Sequence, residues 1–186
     1  MSRILGFVFP GQGSQSPGML SEHFSQSKEV NQIFDISREV LGIDFKKLIQ
    51  EGSTEDLSPT QITQPLLLTA NQALWKALNI KPETVDLMAG HSLGEYSAYV
   101  AAESITFEEA LELVSLRAKY MQEAVPEGEG GIAAIIGLSQ DQLLSICNQI
   151  TNTGQLVSMA NLNSENQVVI SGTKAGVERA IESCKE

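Results

Sequence analysis

The sequence predicts an α/β fold: a parallel-sheet core carrying a serine on a strand-to-helix turn, followed by a smaller α+β subdomain. Three observations carry this. Residues 4–9 and 85–89 are short, near-continuous apolar runs, as strands buried in a parallel sheet are. Stretches with helical apolar spacing separate and follow them, giving strand, helices, strand, helix. Beyond a glycine-rich linker at residues 126–131 the order changes to β-α-β-β-α.

The first strand ends in Pro10-Gly11-Gln12-Gly13-Ser14-Gln15. Gly11 and Gly13 have the spacing of a dinucleotide-binding loop, but Ser16 stands where that fingerprint needs its third glycine. The loop can still turn backbone N–H groups or the Gln12 amide toward an anion or a developing oxyanion. Between residues 19 and 40, Phe24, Val30, Ile33, Phe34, Ile36 and Val40 recur at helical spacing. They predict one or two helices, broken near Ser25-Gln26-Ser27 and stopped at Gly42. A short helix over 45–51 and a helical turn over 54–57 follow. Thr63-Gln64-Pro65 is expected to open a helix to about residue 78, with Pro65 in the first turn, where its missing N–H costs little. Leu67, Leu68, Leu74, Trp75 and Leu78 give that helix an apolar side, and Trp75 reads as core.

Gly90-His91-Ser92-Leu93-Gly94 is a G-x-S-x-G sequence. The bare pattern says little, but here it follows an apolar strand and opens a helix with small residues at Ala98, Ala101 and Ala102. That is the context of a nucleophile elbow. Ser92 would sit at the apex of a strained turn, with glycines flanking it where a Cβ would clash. The helix N-terminus would face the oxygen that becomes negative in acyl transfer. An ordinary strand-to-helix turn is the plain alternative.

Thr106 and Glu109 form a capping box for a helix to about residue 124. Leu111, Val114, Ala118 and Met121 mark its expected buried stripe. Arg117 lies one position from that stripe; its pattern alone favours a solvated arginine, and the functional alternative is a clamp for a carboxylate. Residues 132–136, 155–160 and 167–171 read as strands, the last two as a hairpin around a polar turn at 161–166. A helix from Ser139, with Gln142 as its capping partner, lies between the first two. A final helix starts at Thr173, with Val177, Ala180 and Ile181 on one face. This order matches a split-βαβ, ferredoxin-like unit, which needs one further strand to complete its sheet.

The 186 residues suffice for one ordinary domain or one and a half small ones, and at 42% hydrophobic content they can bury a core. The expected division is 1–126 and 127–186. With 12 basic and 23 acidic residues the formal net charge is −11, which argues against nucleic-acid binding and against an anionic membrane surface. Cys147 and Cys184 lack neighbouring ligand types and read as unpaired thiols in a reducing compartment, with no metal. The start, from Met1-Ser2-Arg3 to Pro10, is too short for a signal peptide's apolar region, and no later stretch approaches a membrane span. A cytoplasmic address is expected.

Phe9-Pro10-Gly11-Gln12-Gly13-Ser14-Gln15, Thr63-Gln64-Pro65, Gly90-His91-Ser92-Leu93-Gly94-Glu95 and Arg117, in this order, resemble the malonyl-CoA:acyl-carrier-protein transacylases of fatty-acid synthesis. The resemblance implies a hydrolase-like core with an inserted ferredoxin-like subdomain. It implies that Ser92 attacks the thioester of malonyl-CoA and carries the malonyl group as an ester. Gln12 and the backbone N–H of Leu93 would form the oxyanion hole. Arg117 would hold the malonate carboxylate, Gln64 would lie on the pocket wall, and His91 is a further candidate at the substrate. The acyl group would pass to the phosphopantetheine thiol of acyl carrier protein by ping-pong chemistry, with coenzyme A as part of the substrate and no other cofactor.

The family also uses a histidine base, held by a later polar side chain, from a segment well beyond the second subdomain. The chain's two histidines are His23 and His91, and the plainer reading of each is a hydrogen-bonded or surface imidazole. With neither that base nor the last strand of the small subdomain, the chain is expected to be the first part of a transacylase. Two other readings stay open: a remnant that only binds acyl-CoA or carrier protein, and a serine thioesterase or hydrolase. A carrier protein, usually acidic, would need a basic patch, for which Lys46, Lys47 and Lys119 are the candidates.

Overall fold

The computed structural model describes residues 4–126 and 128–185. Met1, Ser2, Arg3, Glu127 and Glu186 lie outside the described residues, so the chain start is described from residue 4 and the 126–131 linker lacks its second residue. The chain divides into two compact units, Met1–Gln122 and Glu123–Glu186.

In the first unit β1 (Gly6–Phe9) and β2 (Leu87–Gly90) pair in parallel, in a register from Gly6↔Leu87 to Phe9↔Gly90. Between them run α1 (Ser21–Gln26), α2 (Lys28–Leu41), α3 (Phe45–Glu51), α4 (Thr54–Leu57), α5 (Thr60–Ala77) and a 3-10 turn at Pro82–Thr84. After β2 come α6 (Gly94–Ala101) and α7 (Phe107–Glu123). The break expected near Ser27 is a cap: its hydroxyl accepts from the Val30 N–H, and α2 ends at Gly42 with φ 70°. Thr106 caps α7 as expected, accepting from the Glu109 N–H while the Glu109 carboxylate accepts from the Thr106 N–H.

Helices α5 and α6 cover the face of the two strands that carries Phe7, Phe9 and Met88. Trp75 of α5 meets Phe7 and Phe9 edge-on, with centroids 5.0 and 6.3 Å away, and Ala101 of α6 completes the cluster. A larger core joins Val30 and Phe34 of α2, Phe45 and Ile49 of α3, Leu66 and Leu68 of α5, and Leu111 and Val114 of α7.

Several expectations are corrected. The first strand was expected to be buried on both faces, yet Val8 is 79% exposed, and Leu87 of β2, opposite Gly6, is 62% exposed. Among the described residues the helices lie on the opposite face, so only Phe7 and Phe9 point into packing. Helix α5 begins at Thr60, three residues before Thr63, which puts Pro65 inside the helix. Its first turn closes through the Pro59 carbonyl, which accepts from the Ile62 and Thr63 N–H groups. Pro65 leaves the Gln61 carbonyl without its helical donor, and Gln61 is exposed to water that can replace it. Leu74, Leu78 and Met121 are exposed rather than core. Lys46 and Lys47, the candidates for a basic patch, stay candidates: Lys46 donates to Asn31 at 2.6 Å, and Lys47 lies 3.9 Å from Glu51 in an exposed pair.

In the second unit β3 (Gly130–Ile136), β4 (Val157–Ser164) and β5 (Gln167–Thr173) form an antiparallel sheet in the order β3-β5-β4. Helices α8 (Gln140–Thr151) and α9 (Lys174–Ser183) pack against it through Leu143, Cys147, Ile150, Val177 and Ala180. Ser139 and Gln142 form the expected capping box. Gly130 and Gly131, read as linker, belong to β3; a Cβ on Gly131 would lie 3.2 Å from Val177, so the glycine lets α9 approach. The polar turn expected at 161–166 is mostly strand, because β4 is an outer strand with one wet face, where Asn161 and Asn163 are tolerated. Both cysteines are free thiols, and burial pushes both upward in pKa. Among the described residues no helix is long and apolar enough to cross a membrane.

Candidate active site

The backbone around Ser92 is built by close approach. Ser92 has φ 53°, the left-handed region, which costs a serine roughly 1–3 kcal/mol and persists only where surroundings enforce it. The enforcement is visible. The His91 N–H donates to the Phe9 carbonyl at 3.2 Å, the Gly94 N–H to the His91 carbonyl at 2.9 Å, and the Glu95 N–H to the Ser92 carbonyl at 3.2 Å. A Cβ on Gly90 would fall 1.9 Å from the Gly94 carbonyl carbon, and one on Gly94 2.1 Å from the Phe9 carbonyl oxygen. Gly11 sits as tightly, 2.6 Å from the His91 carbonyl oxygen by the same measure. The glycines on both sides of Ser92 and in the first loop are therefore requirements of one backbone interlock.

Leu93 follows with its side chain fully buried, at the start of α6. Among the described residues none accepts a hydrogen bond from its backbone N–H, which belongs to the positive end of the helix. Ser92 itself stays half-buried.

Arg117 reaches this turn from α7. Its Nη2 donates to Ser92 Oγ at 2.9 Å, and its Nη1 donates to Gln64 Oε1. The guanidinium carbon lies 6.0 Å from the centroid of the Tyr96 ring. The reading that the pattern alone favours, a solvated arginine, is thus corrected: the side chain is half-buried and held on three sides. Among the described residues no carboxylate pairs with it, in a chain of net charge −11.

Gln64 is fully buried; its Nε2 donates to Thr60 Oγ1 at 2.7 Å and meets the Met121 sulfur at 3.2 Å. Thr60 Oγ1 in turn donates to Gln12 Oε1 at 3.0 Å. The structure therefore gathers four of the expected residues, Gln12, Gln64, Ser92 and Arg117, into one hydrogen-bonded chain. The Gln12 loop is braced by Ser14, whose hydroxyl donates to the Gly11 carbonyl at 2.9 Å. Buried Asn71 braces it from below, donating to the Pro10 carbonyl at 3.2 Å and to Ser97 at 3.0 Å. His91 is exposed, with its Nδ1 near Gly11, and His23 is an exposed residue of α1.

Sequence reasoning missed Thr60, Asn71 and Met121. Thr60 lies four residues before Gln64, one turn away on the same helix face, a signal hidden by placing the helix start at Thr63.

Comparison with known proteins gives a consistent result. The model of the acyl transferase domain matches residues 6–186. The malonyl CoA-acyl carrier protein transacylase of Salmonella typhimurium is 51% identical over 180 residues, 96% of this chain and 58% of that protein. The protein of the same name from Bacillus subtilis is 46% identical over 186 residues, 100% of this chain and 58% of its own length. Among solved structures, the malonyl CoA-acyl carrier protein transacylase of Coxiella burnetii superposes with a TM-score of 0.89 at 49% identity, over 98% of this chain and 58% of that one. A malonyl-transacylase solved with its type II PKS acyl-carrier protein gives 0.88 at 47% identity, over 98% and 59%. The chain thus spans 58% of the length of the curated relatives named here.

Proposed function

The chain belongs to the acyl transferase domain family, and from that premise we propose that it carries the acylation machinery of a malonyl-CoA:acyl-carrier-protein transacylase. The observation that carries this is Arg117, a guanidinium that pairs with no carboxylate among the described residues and rests on the Ser92 hydroxyl. If a thioester carbonyl carbon lies at Ser92 Oγ, a malonyl group places its carboxylate one methylene further, within reach of Arg117. A guanidinium has five N–H donors; Ser92 and Gln64 occupy two, and the rest can grip a carboxylate.

Ser92 Oγ attacks the thioester carbon, and the carbonyl oxygen becomes an oxyanion. Gln12 Nε2 and the Leu93 N–H donate to it, and the positive end of α6 adds to the stabilisation. Collapse breaks the C–S bond, coenzyme A leaves as the thiol, and the malonyl group remains as a Ser92 ester. The phosphopantetheine thiol of acyl carrier protein then attacks the ester and returns the Ser92 hydroxyl, in the service of fatty-acid biosynthesis. The arm arrives with the carrier protein, so the enzyme needs no resident cofactor.

The Ser92 proton must pass to a base. The relatives extend beyond the matched region, and we assign the base, a histidine, to that part. Residues 1–186 alone are then an impaired catalyst. The small parallel sheet with its turn and helix fits a hydrolase-like core over 1–126. The order β3-β5-β4 fits a ferredoxin-like subdomain over 127–186. The two free thiols fit a reducing, cytoplasmic setting.

Intact-mass spectrometry after exposure to malonyl-CoA tests this. A malonyl-sized increase that vanishes in Ser92→Ala is expected, slow in this chain alone. An increase that persists in Ser92→Ala would remove Ser92 from the chemistry.

A further inference from the structure

The hydrogen bonds beside Ser92 run in one direction, and Arg117 sets it. A guanidinium has donors only, so the side chain of Gln64 must turn its carbonyl oxygen to Arg117. The Gln64 amide nitrogen then faces Thr60 and donates to Oγ1 at 2.7 Å. Having accepted there, the Thr60 hydroxyl spends its single proton on Gln12 Oε1 at 3.0 Å. Gln12 is thereby oriented as well: its oxygen is occupied by Thr60, and its two amide hydrogens point away. Reversing Gln64 would set its NH2 against the guanidinium, donor against donor. Reversing Gln12 would leave the Thr60 proton without this acceptor.

We propose that Thr60 is a positioning residue that transmits the polarity of Arg117 to Gln12. The same arginine that grips a carboxylate thereby also turns the Gln12 amide so that its N–H, not its oxygen, is offered to the oxyanion. The consequence for catalysis rests on the acyl-transfer reading; the orientation itself does not. Gln12 is on an exposed loop, and without Thr60 its two amide orientations are close in energy. Roughly half the molecules would then present an oxygen where a donor is required. Thr60 itself would touch neither substrate nor reacting atoms.

The test follows the side-chain amide resonances of Gln12 and Gln64 in the 15N-labelled chain. Thr60→Val keeps the shape and removes the hydroxyl, and it is expected to move the Gln12 pair toward the position of a free glutamine amide. Thr60→Ser keeps the hydroxyl and is expected to restore it. Arg117→Met removes the polarising end and is expected to move the Gln12 pair as well, through two intervening side chains. If Thr60→Val does not fold, Arg117→Met carries the test. A Gln12 pair that stays in place in the folded variants overturns the proposal.

Malonyl loading of Ser92, measured on the same samples, separates the two claims. A loss of about twofold in Thr60→Val with recovery in Thr60→Ser is expected, far less than the 10²–10³ of deleting an oxyanion donor. Loading at the unsubstituted rate in Thr60→Val overturns the catalytic consequence. A chain that shows the Gln12 shifts, never loads Ser92 and binds malonyl-CoA no more tightly than acetyl-CoA upholds the relay and removes the acyl-transfer reading.

Discussion

Arg117 and Ser92, 25 residues apart in sequence, are joined by a 2.9 Å hydrogen bond from Nη2 to Oγ. The bond puts a fixed cation on the one hydroxyl that the strained turn holds forward. A neighbouring cation favours the ionised form of an oxygen acid, so in the proposed reaction Arg117 would act on Ser92 as well as on a substrate carboxylate. Replacing it by lysine would keep a charge and lose the planar fork that reaches Ser92 and Gln64 together.

The backbone interlock predicts a sharp asymmetry among glycines. Gly94→Ala would place a Cβ 2.1 Å from a backbone oxygen that cannot yield, and a stability loss of about 3 kcal/mol is expected. Gly6→Ala meets nothing closer than 3.7 Å and should stay within about 0.5 kcal/mol. Urea unfolding of the two variants checks the contrast.

Trp75→Ala removes the ring that holds Phe7 and Phe9 against α5. A loss of about 3–5 kcal/mol is expected from denaturant unfolding, with loss of the near-ultraviolet circular dichroism of the single tryptophan. Ser139→Ala removes the cap of α8 in the second unit and should cost about 1 kcal/mol.

Two of the three carboxylates among the described residues that folding depresses, Asp56 and Glu109, sit in capping boxes. The Ser53 backbone N–H and hydroxyl lower the pKa of Asp56, and the same groups of Thr106 lower that of Glu109. Folding depresses both, so their stabilisation is complete above the unfolded carboxylate range of about 3.9–4.3 and is lost as pH falls through the folded values. Glu109→Gln keeps the capping geometry and removes the titration. Its melting temperature should fall less steeply than that of the unsubstituted chain between pH 6 and pH 3. Both groups are exposed, so the difference will be small.

Helices in both units are legible in the sequence because their ends are local chemistry: Ser27, Gly42, Thr106 and Ser139 each cap by contacts within three or four residues. The turn at Ser92 is legible because glycine is required on both sides of it. The start of α5 is not legible, since its first turn closes on the Pro59 carbonyl through the Ile62 and Thr63 N–H groups and no side chain announces the cap. Nor is the position of Arg117: one place off an apolar stripe, it looks like any exposed arginine until α5 and the Ser92 turn are brought to it. Thr60 is hidden for the same reason, because its two partners lie 48 residues before it and four after it.

The most direct test of Arg117 as a carboxylate clamp is calorimetric titration of malonyl-CoA and acetyl-CoA into the unsubstituted chain and into Arg117→Ala, which needs no catalytic base. Malonyl-CoA is expected to bind about tenfold or more tightly than acetyl-CoA, because a neutral acyl group leaves the half-buried guanidinium unpaired. In Arg117→Ala that difference should vanish. Equal affinity for the two thioesters in the unsubstituted chain would contradict the clamp.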